Sequence, residues 1–259
     1  MGHTIIDRLP TGKRWQVVVG LLNSPELRVG DVAGASCLAA ERRLIQLRGD
    51  PSLAYCFWLL VRLAAAARGD DFLGEVRHLG IPARPDDTMT QFAARVADHT
   101  RVALNRHPES GPFAEMAALS LRRALRDTVG VEGRSLFGSP LEDLERAFRR
   151  HASAAQFGDL ARRFFGDFAG RTLRYYVDRE LAHAVGGGGL ATARDTATFG
   201  DALDLHAQQT TRVVELYAAQ WYSKKNWERL GAIPEGDARA FVAHALQKLE
   251  AGLKSGAGR

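Results

Sequence analysis

Apolar side chains recur along this chain at spacings of three and four residues, the period of helices with one buried face. The first strong segment runs from Asp31 to Arg48, with Val32, Leu38, Leu44, Ile45 and Leu47 broadly on one side and Gly49 as its stop. Asp50-Pro51 opens the next helix, a polar cap followed by proline at the first helical position, and this helix continues to Gly69. Within it, Leu53 to Ala67 is apolar on several faces, which predicts a helix surrounded by others and marks it as the core.

Asp70 predicts a short helix ending near Gly80, and Ile81 to Asp87, with two prolines, predicts a loop. Helical spacing resumes from Thr88 to Arg106 and from Pro112 to Val129. The stretch Gly130 to Gly138 is the best internal break. Ser139-Pro140-Leu141-Glu142 then combines a capping box with proline at the first helical position and predicts a helix to His151. From Gln156 to Val185 the pattern predicts one long or kinked helix, in which Gly158, Gly166 and Gly170 point to a closely approaching neighbour or a break. Gly186 to Gly189 ends it in a loop reaching about Thr196. Helices over Phe199 to Tyr222 and Glu235 to Leu253 follow, with a fraying tail from Ser255 to Arg259.

The β-branched run Trp15 to Leu22 reads as either a strand or a helix, and helix is favoured because a lone strand has no partner for its backbone. The fold expected is all-α, a multi-helix bundle or irregular helical domain of roughly eight to ten helices. An N-terminal region over 1–130 and a C-terminal region over 139–259 are expected to pack as one domain. No fixed-period repeat announces a solenoid.

Composition narrows the setting. The chain has 259 residues, 46% hydrophobic and 25% charged, which is ordinary for a globular protein that buries a core unaided. Cys37 and Cys56 lie in apolar helical patterns and are too few for a disulfide framework, which suits a reducing compartment. Met1 to Pro10 lacks the basic end and apolar run of a secretory leader, so a cytoplasmic location is expected. The apolar stretch Leu53 to Ala67 is shorter than the ~20 residues that span a bilayer and carries Arg62, so no membrane role is expected. The net charge of +5 permits nucleic-acid binding without requiring it. Abundant Ala, Arg and Gly match a GC-rich bacterial coding sequence, so the arginines matter by position and not by number.

Chemistry is sparse. Glu75/His78 and Glu180/His183 form two Glu-x-x-His pairs, the unit that supplies metal ligands in helical di-iron bundles. Two such pairs are only mildly more than chance placement gives, and the competing reading is surface or capping residues. A second grouping sets Asp178, Glu180 and His183 against Asp201, Asp204 and His206 across the tetraglycine, where antiparallel helices would bring them together. Solvated charges and helix-dipole complements explain the same residues. No nucleophile arrangement and no phosphate loop emerges, and no cofactor is implied.

The most distinctive segment is Trp221-Tyr222-Ser223-Lys224-Lys225-Asn226-Trp227, where aromatics flank adjacent lysines. Single-stranded nucleic acid asks for aromatic and basic groups together, and Trp and Tyr also dominate protein interfaces. The plainer reading has Trp221 and Trp227 plugging the core while the lysines complement a helix end. Arginine doublets Arg42-Arg43, Arg122-Arg123, Arg149-Arg150 and Arg162-Arg163 would form basic stripes on helices, or solvated faces paired with Asp127, Glu142 and Glu145. The function expected is a non-catalytic helical subunit or adaptor of a larger bacterial complex, contacting a partner protein or DNA or RNA through the Trp221 to Trp227 segment and the arginine faces. The rival expectation is a helical-bundle metalloenzyme using Glu180 and His183 with Glu75, His78 or His206.

Overall fold

The computed structural model describes residues 12–106, 112–129, 140–184, 190 and 192–255. Every regular element among them is helical, so the all-α class holds. In chain order the helices are α1 (Lys13–Leu22), α2 (Val29–Ala39), α3 (Glu41–Leu47), α4 (Pro51–Ala66), α5 (Phe72–His78) and α6 (Met89–Leu104). They continue as α7 (Pro112–Ala124, followed by a π turn at Leu125–Val129), α8 (Pro140–His151), α9 (Ala154–Ala184), α10 (Ala193–Thr210), α11 (Arg212–Arg229) and α12 (Glu235–Ser255). The break at Gly130 to Gly138, the cap at Ser139 and the tetraglycine all lie outside the described residues, as do the first eleven residues and the last four.

The helices outnumber those expected because two spans read as continuous are each divided. The first division falls at Ala40, which leaves helical geometry at φ −90° and ψ 6° and lets Glu41 start α3. The second falls at Thr211, which is fully buried. There the Thr211 hydroxyl donates to the Gln208 carbonyl at 2.7 Å and the Thr210 hydroxyl donates to the His206 carbonyl at 2.9 Å. Hydroxyls that bond back to helix carbonyls compete with the amide ladder and bend the chain.

The chain divides into two compact units. The first comprises Met1–Gly49, Phe165–Val213 and Ala243–Arg259. In it α1 packs on α2, and α10 packs on α2 as well. The run Trp15 to Leu22 is helical: Trp15, Val18 and Leu22 form a buried stripe at helical spacing, which overrides the β preference of Val17 to Val19. The Trp15 indole N–H donates to Glu180 Oε1 at 3.0 Å and ties α1 to α9. Glycines set the close approach of α9 to α10, with Gly166 facing Gln208 and Thr211, Gly170 facing Asp204, and Gly200 facing Arg174. These pairings run in opposite directions along the two helices, so the antiparallel packing expected across the tetraglycine is present.

The second unit comprises Asp50–Phe164 and Val214–Val242. Its centre is α4, which starts as the sequence predicts: Asp50 Oδ1 accepts from the Leu53 amide at 2.8 Å, and Pro51 occupies the first turn. Leu53, Phe57, Leu60, Val61 and Ala64 are wholly buried, and α4 contacts α5, α7 and α8. Asp71, not Asp70, caps α5 by accepting from the Gly74 amide. Thr88 and Gln91 form a capping box at the start of α6.

Gly158 lies where α9 meets α11 in this unit. A Cβ there would stand 2.6 Å from the Glu215 carbonyl oxygen and 3.2 Å from the Ala219 Cβ. Backbone atoms cannot yield as a flexible side chain can, so Gly158→Ala should destabilise the second unit by about 1–3 kcal/mol. That sign opposes the gain of about 1 kcal/mol that Gly to Ala gives in an unhindered helix. A fall in the urea midpoint checks it, and a rise would mean that α9 and α11 stand further apart.

Candidate functional site

Helix α11 buries Val214, Ala218, Tyr222 and Asn226, a stripe repeating every fourth residue. Trp221 borders that stripe and packs its ring 5.8 Å from Phe57 and 4.7 Å from Phe241, while Tyr222 stacks on Phe157 at 3.9 Å. Burial pushes the Tyr222 phenol up to about 12, with Asn226 and Arg68 acting the other way. Lys225 lies between Glu228 at 2.9 Å and Asp237 at 3.5 Å. The Glu228 hydrogen bond outweighs desolvation and, with Asp237, holds the ammonium above its usual range. Thus Trp221, Tyr222 and Lys225 serve the packing of this unit.

Trp227 does not. One residue beyond Asn226, it rotates off the buried stripe and is 83% exposed, so the reading of it as a core plug fails. Lys224 is also exposed, 3.8 Å from Glu228. Leu230 is 94% exposed and has φ +50°, the left-handed region. Gly231 follows at φ +84°, its N–H bonded to the Asn226 carbonyl at 3.3 Å to close the helix end. That left-handed site is normally filled by glycine, and a leucine there costs roughly 1 kcal/mol.

Trp227 and Leu230 line a cleft of about 670 Å³. Ala65, Ala66, Gly69, Gly231 and Ala232 supply small groups in its wall, while Arg62, Arg68 and Glu75 supply charge. Arg62 and Glu75 stand 3.6 Å apart. The sequence signals for this cleft were weak: an arginine within an apolar helix at Arg62, and a leucine directly before the Gly231 helix stop.

The arginine doublets are exposed except at Arg162, and several carry carboxylates, Arg162 and Arg163 both pairing with Asp159. Arg123 and Arg126 both pair with Asp127, at 3.2 and 2.6 Å. Arg149 pairs with Glu145 and also donates to the Ala67 carbonyl. Arg122 and Arg150 are solvent-exposed on α7 and α8.

The residues named as metal ligands divide between the units. In the second, Glu75 pairs with Arg62, and the exposed His78 Nδ1 is 3.0 Å from the Gly74 carbonyl. In the first, Glu180 accepts from Trp15, and His206 is half-buried with its pKa lowered by burial. The side chain of His183 lies outside the described residues. Across α9 and α10, Arg174 bridges Asp201 at 3.3 Å and Asp204 at 3.0 Å, while desolvation raises the Asp178 pKa. Among the described residues, no three His, Cys, Asp or Glu side chains are grouped to hold a metal ion. No helix among them is long and apolar enough to cross a membrane. No protein family matches the chain, and no curated protein or solved structure matches it either.

Proposed function

We propose that this chain is a non-catalytic helical subunit of a larger bacterial assembly in the cytoplasm, and that its second unit docks a partner protein through the Trp227–Leu230 cleft. The observation that carries this reading is the pairing of Trp227 and Leu230, two large apolar side chains almost fully in water beside one concave surface. Covering one such side chain is favourable by about 1.5–3 kcal/mol, and a leucine kept at a left-handed position works against the stability of its own helix end. Both features fit a surface built for contact.

Charge favours protein over nucleic acid. Lys225 and Arg229 share Asp237, Arg62 has Glu75, and Lys224 has Glu228, so apart from Arg68 a phosphate chain would meet cations already matched by carboxylates.

Leu230→Gly tests the idea in both directions at once. The substitution should raise stability by roughly 1 kcal/mol, because glycine adopts the left-handed conformation freely. It should also cut partner binding at least tenfold, as should Trp227→Ala, which removes no core contact. Urea midpoints paired with quantitative co-purification from the native host read both effects. Partner recovery unchanged in both variants would sink the proposal. Salt-sensitive binding to single-stranded DNA or RNA, lost in Lys224→Glu, would replace it with the nucleic-acid reading.

A further inference from the structure

We infer that the partner seated in the Trp227–Leu230 cleft is a second copy of this chain, related to the first by a two-fold axis. The inference rests on reading the cleft as a protein-docking surface and adds what docks there. A two-fold interface uses one patch twice, so that patch must carry both a protrusion and the recess that receives it, and charges of both signs. This patch has each of those. Trp227 and Leu230 project beside a recess whose walls include Ala65, Ala66 and Gly69, side chains small enough to admit an incoming indole.

The charges follow the same logic. Arg68 stands exposed on the recess wall and Glu75 lies on the same wall, half in water. An acidic partner would be matched by a uniformly basic cleft, and a basic partner by a uniformly acidic one. A wall with both signs complements a rotated copy of itself, Arg68 of one chain meeting Glu75 of the other.

The apolar surface also extends along the helix. Leu216 is 72% exposed and lies eleven residues before Trp227 on α11. Eleven residues at 100° each come round to within about 20°, so the two side chains share one face over a rise of about 16 Å. Two copies of α11 crossing along this face would cover Leu216, Trp227 and Leu230 of both chains.

Sedimentation equilibrium of the full chain over roughly 1–100 µM decides the matter. The wild type should approach twice the 28.3 kDa chain mass as concentration rises. Trp227→Ala and Leu230→Gly should each weaken dimerisation at least tenfold, with helical circular dichroism unchanged. Arg68→Glu and Glu75→Arg should each weaken it as well, and the doubly exchanged Arg68→Glu/Glu75→Arg chain should recover most of the loss. A wild type that keeps the single-chain mass throughout, or a dimer indifferent to Trp227→Ala and Leu230→Gly, overturns the inference. A single-chain mass with partner capture still lost in both variants would overturn self-docking alone and leave the docking surface standing.

Discussion

Glu250→Ala is expected to destabilise the first unit by about 3 kcal/mol, because it strips the shared acceptor from two partly buried cations. Glu250 is 9% exposed at its side chain and accepts from Arg48 at 2.5 Å and from Lys254 at 2.7 Å. Lys254 in turn reaches Glu41 at 2.8 Å, and Glu41 is held by Arg14 at 2.8 Å, so one chain of ion pairs links α12 to α3 and α1. The carboxylate borders a small apolar cavity of about 30 Å³ lined by Cys37, Leu47, Phe168 and Leu246, surroundings that screen the lost charge poorly. Burial and the Glu250 charge push the Cys37 thiol up to about 12, so it stays protonated and unreactive while the unit is closed. Thiol exchange at Cys37 therefore measures opening of this unit, and it should quicken more than a hundredfold in Glu250→Ala. The same carboxylate sets a pH dependence. Burial alone would raise its pKa, but the hydrogen bonds and charges of Lys254 and Arg48 together hold it lowered. Its contribution is complete above the unfolded value of about 4.3 and disappears as pH falls through the lowered folded value. The wild type should lose more stability than Glu250→Ala across that acid window. Equal losses would mean that the ion pairs do not form in solution.

Much of the helical framework was legible because local chemistry announces it. Asp50-Pro51 and Thr88 cap their helices through their own side chains, and Gly158, Gly166 and Gly170 each face a neighbouring helix closely, Gly158 against backbone that cannot yield. What escaped the sequence was set by distant contacts. Ala40 is a good helix former, yet the chain turns there, bringing Glu41 to Arg14 and Lys254, residues far from it in sequence. The Thr210-Thr211 pair did carry a local signal, hydroxyls able to bond back to the helix, but an apolar periodicity running through it to Tyr222 hid the bend. The candidate site was half visible. An aromatic and lysine segment was plain at Trp221 to Trp227, but the division of labour within it depends on the angle of α11 about its axis. Asn226, a polar residue in the buried stripe, obscured that angle, so Trp227 and Lys225 each read two ways, as packing residues or as contact residues. Leu230 left only a weak trace, its place directly before Gly231, because a left-handed leucine cannot be told from an ordinary helical one by type.

Phe57→Ala should cost the second unit about 3–5 kcal/mol, the range for emptying a buried aromatic site. Phe57 is wholly buried and its ring stacks on Phe241 at 4.8 Å. It also meets Phe157 at 6.2 Å, Phe164 at 6.0 Å and Trp221 at 5.8 Å. No single neighbour can move into the space, since Phe241 is itself stacked on Tyr217 and Phe157 on Tyr222. Phe57→Leu keeps most of the volume and should cost less than half as much, which separates the cavity contribution from a general loss of aromatic contact. Cys56 is fully buried beside this site, and burial raises its pKa, so its thiol-exchange rate reports opening of the second unit as Cys37 does for the first. The same cluster anchors Trp221, and through it the stretch of α11 that presents Trp227 at the cleft. Phe57→Leu should therefore weaken docking only as far as it loosens α11, whereas Trp227→Ala should weaken docking with Cys56 exchange unchanged. Observing both patterns would separate the residues that hold the surface from those that touch the partner. If Trp227→Ala instead speeds Cys56 exchange as much as Phe57→Leu does, Trp227 belongs to the core and the docking reading falls.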